Sequence, residues 1–283
     1  MIAKQGSPKI KKAVVACQVF YEEILTRANH EGIDVELLPQ GLHDRIDSSD
    51  MRNEIQKKID DLEARDEYDY IILAYGFCSG NVAGVKTQKA SLVLSLAHDC
   101  IPILMGELDY KGNLDSSGTY YLSRGWIDCG GDPYKHYLFM TGNLDSWVER
   151  YADFKQQHPN LTVWYEKDQY NEERRRRRNF TADMAEYVTY ECIKGYKDIT
   201  LIDNGNLTAH HYEYAEEMHG FLSKLMLKSR GKGLDYKVIQ GESAFLDKLI
   251  HFDKLTNEEL AANFLITPPG QELDLKEYLY PTE

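Results

Sequence analysis

The chain has 283 residues, 42% of them hydrophobic, and its 33 Lys and Arg stand against 46 Asp and Glu for a net charge of −13. That length exceeds one ordinary core and points to one large or two smaller folded units. An acidic balance of this size repels nucleic-acid phosphates and anionic lipid, and no stretch approaches the ~20 apolar residues of a membrane span, so neither nucleic acid nor membrane is an expected partner.

The opening MIAKQGSPKIKKAVVACQVF is basic, then briefly apolar, and lacks a small-residue cleavage site, so it is not read as a signal peptide. AVVACQV (13–19) reads as a short buried strand, FYEEILTRAN as a helix, and VELLP (35–39) as a second strand stopped by Pro39. Asp50 is a candidate N-cap for a helix in which Met51, Ile55, Ile59 and Leu62 recur at helical spacing. DYIILAYG (69–76) and SLVLSLAH (91–98) are near-continuous apolar runs of the kind covered on both faces. Strand, helix, strand, helix, strand predicts a parallel sheet with right-handed crossovers.

Past residue 105 the pattern loosens. GTYYLSRGWID (118–128) reads as a strand-like segment leaving through a Gly-rich turn, and DSWVERYADFKQQ as a helix. The polar run 165–178 contains five consecutive arginines, Arg174 to Arg178, and reads as a solvated linker or helix start leading into the helix FTADMAEYVTYECIK. ITLIDNG (199–205), the helix YEYAEEMHGFLSKLMLKS, DYKVIQG (235–241), the helix AFLDKLIHF and NFLITPPGQ (263–271) repeat the alternation. The expected architecture is α/β, with two Rossmann-like halves whose mainly parallel sheets flank a central cleft. Residues 1–110 form the half carrying a Cys/His site and 111–283 the other, with the C-terminal segment able to pack back on the first.

The cysteines, Cys17, Cys78, Cys100, Cys129 and Cys192, are an odd set in a long chain, which argues against a secreted disulfide framework and for the reducing cytoplasm. Cys17, Cys78 and Cys100 follow strand-like runs, and the carboxyl ends of parallel strands face one crevice. Cys78 lies in YGFCSGNVAGVK, where Gly76, Gly80 and Gly84 would let backbone N–H groups approach a substrate and a helix starting near Gly80 would aim its positive end at the thiol. The string is neither a Walker loop nor a dinucleotide fingerprint; the bland reading is a tight turn with an inert thiol. His98, Asp99 and Cys100 place an imidazole and a thiol on one face of an extended segment, half of a tetrahedral zinc site that Cys17 and Cys78 would complete. The alternative is a core cysteine beside a structurally bonded histidine. In LLPQGLHDR, His43 is read as metal-binding, proton-moving or idle, Gln40 as a substrate contact and Arg45 as a carboxylate clamp. His210 and His211 read as the first turn of a surface helix, and Cys129 and Cys192 as structural.

The strings LLPQGLHDR, YGFCSGN, AHDCI and GTYYLSRGW resemble the domain-of-unknown-function family 1638, from about residue 12 to about 271. The resemblance matches Cys17, His43, Tyr75 to Cys78 and His98 to Cys100, with Ser79 standing where members commonly carry Gly. It implies an association with corrinoid proteins and methyltransferases of anaerobic one-carbon metabolism.

The leading expectation is therefore a cytoplasmic zinc-thiolate enzyme with Cys17, Cys78, His98 and Cys100 as ligands. It would transfer a methyl group between a small-molecule substrate and a thiol or a corrinoid carried by a partner protein. His43 and Asp99 would take catalytic roles, and Gln40, Arg45, Gly76 and Gly80 would contact substrate. The rivals are a non-catalytic protein that binds and delivers a small molecule or a corrinoid, and a thiol redox protein using Cys78 and Cys100.

Overall fold

The computed structural model describes residues 10–43, 48–106, 118–143, 152–164 and 180–279. The chain is mixed α/β with mainly parallel sheets, in two compact units that are each discontinuous in sequence. The first gathers Met1–Leu38, Arg45–Ile103 and Ala244–Glu283; the second takes Pro39–Asp44 and Leu104–Ser243.

In the first unit, β1 (Lys12–Cys17), β2 (Asp34–Leu38), β3 (Tyr70–Ala74) and β4 (Ser91–Ser95) are parallel neighbours, and β8 (Phe264–Thr267) closes the sheet antiparallel to β4 in the order β2-β1-β3-β4-β8. Ala13 to Ala16 and Ile71 to Ala74 have no exposed surface, as expected for central strands that run as unbroken apolar sequence. Helix α1 (Tyr21–Glu31) ends on Gly32, whose left-handed φ of +67° lets the chain reverse into β2. Helix α2 (Ser48–Arg65) buries Met51, Ile55, Ile59 and Leu62, the stripe its 3.6-residue period dictates. Buried Glu63 near its end accepts the N–H groups of Gln88, Lys89 and Ala90 at 2.8, 2.8 and 3.0 Å, pinning the turn that launches β4.

No helix follows Gly80, contrary to the sequence expectation. Cys78, Ser79 and Gly80 take φ values of +47°, +57° and +86°, and consecutive left-handed residues cannot begin a right-handed helix. The link from β3 to β4 passes instead through a 3-10 turn, Cys78–Gly80, and further turns.

The C-terminal elements of this unit are α9 (Ala244–Ile250), which packs on α1 and β3, α10 (Asn257–Asn263), capped by a reciprocal Thr256–Glu259 box, β8, and the short α11 (Lys276–Leu279). Lys12, only 8% exposed, ties this segment to β1 by donating to the Ile250 carbonyl (2.7 Å) and to Asp253 (2.9 Å). NFLITPPGQ thus supplies a strand to the first sheet, with Val93 opposite Ile266, rather than extending the second.

The second unit carries a parallel sheet of β5 (Thr119–Leu122), β6 (Asp198–Asp203) and β7 (Asp235–Gln240). The strand in GTYYLSRGWID stops at Leu122, because Ser123 accepts the Trp126 N–H and starts helix α4 (Arg124–Cys129). Asp132 caps α5 (Pro133–Met140), which has proline at its first position. Helices α6 (Ala152–Gln157), α7 (Ala182–Ile193) and α8 (Ala209–Arg230) complete the described elements, with α3 (Cys100–Met105) leading out of the first unit. Ile199, Leu201, Tyr214, Met218, Leu222 and Met226 form the core between sheet and helices. The amino-terminal part of DSWVERYADFKQQ and the arginine run lie outside the described residues.

Candidate functional site

In the first unit the chain runs from β1 outward to β2, then crosses back past β1 to β3. The carboxyl ends of β1 and β3 therefore flank a topological switch point, where crossover connections diverge to opposite faces and leave a crevice. Cys17 is the last residue of β1, and Tyr75, Gly76, Phe77 and Cys78 leave β3 beside it.

Two thiols and a phenol gather there. Burial pushes the Cys17 thiol up to about 12 despite a hydrogen bond from the Val19 N–H. Burial also raises Cys78, and Cys17 and Asp99 add to the rise while the Gly76 N–H opposes it. Tyr75, 2% exposed, is raised by burial and then by Cys17 and Cys78. The three groups are close enough to oppose one another's ionisation, so at neutral pH the crevice holds protonated thiols. A thiophilic cation reverses that balance by replacing the protons. None of the five cysteines is in a disulfide.

The turn after β4 is locked to the turn after β3. Phe77 and Cys78 donate their N–H groups to the Ala97 and His98 carbonyls at 2.8 and 2.9 Å, and the Ser95 hydroxyl donates to the Tyr75 carbonyl at 2.7 Å. A Cβ at Gly76 would lie 2.5 Å from the Asp99 nitrogen, so this glycine is dictated by close backbone approach within the chain. Gly80 plays a related part, with its φ of +86° and Leu279 3.0 Å from the place of a Cβ. Asp99 accepts the Ile101 N–H at 2.8 Å and so caps α3. His98 is exposed, its ring 5.8 Å from Phe77 in an edge-on contact, and Cys100 is half-buried at the start of α3.

Of the expected zinc ligands, Cys17 and Cys78 are thus drawn together, while His98 and Cys100 stand on the adjoining turn. Among the described residues no group of three or more His, Cys, Asp or Glu side chains is gathered as a metal site. The donor set nonetheless has the soft character that zinc selects.

Gln40 and His43 belong to the second unit, and Arg45 lies outside the described residues. Gln40 is buried and accepts the Gly131 N–H at 3.1 Å, a structural bond. Burial lowers the His43 imidazole to about 4, so it is neutral at physiological pH.

Sequence reasoning missed a buried polar network in the second unit. His211 is 3% exposed, not on a surface turn: its Nδ1 accepts the Thr208 N–H (2.9 Å), which places the proton on Nε2, 3.2 Å from both Asp128 oxygens. Lys135, also buried, donates to the Ile127, Gly130 and Trp126 carbonyls at 2.7, 2.8 and 3.3 Å and lies 3.5 Å from Asp132. These partners are up to 83 residues apart, so no local pattern in the sequence joins them.

The carboxyl ends of β1 and β3 thus bring a buried thiol and a half-buried one together in an α/β protein. The matching family model is "Protein of unknown function (DUF1638)", over residues 37–250, and the chain belongs to that family. The match takes in Cys78, His98 and Cys100 and begins beyond Cys17. No curated protein and no solved structure matches the chain.

Proposed function

We propose that the first unit is a zinc-thiolate methyl-transfer module. Cys17 and Cys78 hold the metal, and Cys100 and His98, on the turn bonded to that of Cys78, complete the set by rearrangement of their side chains. The observation that carries this reading is the pairing of buried Cys17 with half-buried Cys78 at the switch point, joined by backbone hydrogen bonds to the turn that bears the other two ligands. Metal uptake is accordingly coupled to a local rearrangement and releases thiol protons. Bound zinc keeps a thiolate nucleophilic at neutral pH. A thiolate so held would accept the methyl group of a small methylated donor, the bond from carbon to the leaving group breaking as the sulfur–carbon bond forms and the leaving group departing with the bonding electron pair. A corrinoid carried by a partner protein is the further acceptor that the family resemblance suggests.

Cobalt(II) is the test, because thiolate ligation gives it an intense charge-transfer absorption. The full chain is expected to bind about one cobalt per molecule, with the charge-transfer band reduced in both Cys17→Ala and Cys78→Ala and a smaller change in His98→Ala. A chain that takes up no cobalt, or whose band survives both cysteine substitutions, overturns the proposal.

A further inference from the structure

The stretch that follows β8 runs back along the link between β3 and β4 and ends on the turn that carries Cys78. Gly270 donates its N–H to the Thr87 carbonyl at 2.8 Å, and Lys86 and Glu272 form an antiparallel bridge. Leu273 donates to the Val85 carbonyl at 2.9 Å and accepts the Gly84 N–H at 2.8 Å. The side chains of Leu273 and Leu275 are each 1% exposed and anchor the stretch. Beyond them, α11 brings the Tyr278 ring to 5.7 Å from that of Phe77 and Leu279 Cδ1 to 3.0 Å from the place of a Gly80 Cβ. It thus touches the residue before Cys78 and the residue after Ser79. We infer that α11 is a gate over the thiol turn, controlling the entry of a metal ion or a thiol reagent to Cys78.

The two halves of this stretch are held with different firmness. Its anchor combines buried leucines with backbone bonds to a neighbouring segment. In α11, by contrast, no residue is buried: Tyr278 is 38% exposed and Leu279 half-buried. The Tyr278 and Leu279 N–H groups reach back to the Leu275 carbonyl at 3.1 and 2.9 Å, within the same turn. Swinging α11 about Leu275 therefore breaks the contacts of Tyr278 and Leu279 while the buried leucines stay in place, and segments with few buried contacts open at the lowest free energy. Phe77 carries the effect further, because its ring meets both Tyr278 and the His98 imidazole, the latter edge-on at 5.8 Å. With Tyr278 seated, Phe77 is held against His98, the side chain that must turn toward Cys78 to complete the proposed metal site. The purpose of the gate rests on the zinc-thiolate reading; its existence rests on the contacts of α11.

The full chain, reduced and freed of metal with a chelator, is alkylated with iodoacetamide, and modification of Cys78 is timed by peptide mass spectrometry. Tyr278→Ala combined with Leu279→Ala is expected to speed Cys78 labelling about tenfold, since reaction through an open state follows the population of that state. Tyr278→Phe, which keeps the ring, is expected to hold the parent rate. Amide exchange at Ala13 to Ala16, in the centre of the same sheet, stays unchanged and separates local opening from unfolding of the unit. An unchanged Cys78 rate in the double variant, or a faster one matched by an equal rise in exchange at Ala13 to Ala16, overturns the inference. Cobalt(II) uptake is read separately. The double variant is expected to reach the parent's final charge-transfer band severalfold sooner, and equal uptake rates overturn the gating of metal entry. If neither chain binds cobalt the zinc-thiolate reading falls, and labelling at Cys78 still decides the gate.

Discussion

Cys78 and Ser79 are the non-glycine residues with positive φ among the described residues. A left-handed L-residue costs about 1–2 kcal/mol, and such strain persists where the surroundings over-determine the backbone. Here the surroundings are the two hydrogen bonds to the turn after β4 and the glycine contact at Gly76. Ser79→Gly removes the steric part while loosening the unfolded chain, for a net gain of about 0.5–1 kcal/mol. A rise in melting temperature is the expected reading, and a fall would show that the serine side chain holds the turn. His43 gives a pH signature. Its unfolded imidazole protonates near pH 6.5 and the folded one near 4. Between those values the unfolded chain binds the extra proton, so stability is fully present above pH 6.5 and drains away as pH falls toward 4, by at most about 3 kcal/mol. Urea denaturation at pH 7 and pH 4.5 measures the loss, and His43→Gln should remove most of that residue's share.

At the scale of elements, Lys135 joins α5 to the carbonyl end of α4 with three hydrogen bonds. Lys135→Met strands those carbonyls and leaves the buried Asp132 without its counter-charge, at a cost of about 3–5 kcal/mol. A denaturation midpoint equal to that of the parent chain would contradict this account. The strands were legible in sequence because β1, β3, β4 and β6 are apolar runs bounded by charge or turn residues, and α2 because its stripe keeps strict helical spacing. The end of β5 was not read, although Ser123 is an N-cap residue that could have marked it. His211 was misread because its partner Asp128 lies on another helix far along the chain, and local pattern carries no record of such a partner. The thiols were found because each sits just after an apolar strand, and Cys17 and Cys78 do meet. Gly76 looked like room for a ligand, but sequence could not show that the Asp99 backbone occupies the space.

At the scale of the whole molecule, the first unit is assembled from three stretches of sequence. A boundary near residue 110 was a natural reading of the alternation, since the strand and helix signals before it are continuous. A fragment of residues 1–110 lacks β8 and α9, and so leaves the β4 edge unpaired and the faces of α1 and β3 that α9 covers bare. Such a fragment is expected to aggregate or to melt without a cooperative transition, because an open hydrophobic edge recruits other chains. Size-exclusion chromatography and circular dichroism of the fragment check this, and a monomer with a sharp melt would refute it.

The same arrangement sets an order of events during translation. Residues 104–243 are synthesised before the ribosome reaches the strand at Phe264–Thr267, so the unit encoded later can finish folding first. Until then the earlier-made sheet waits on the ribosome with one flank exposed, and a pause or premature stop late in the message releases a chain whose first sheet still lacks its antiparallel edge strand.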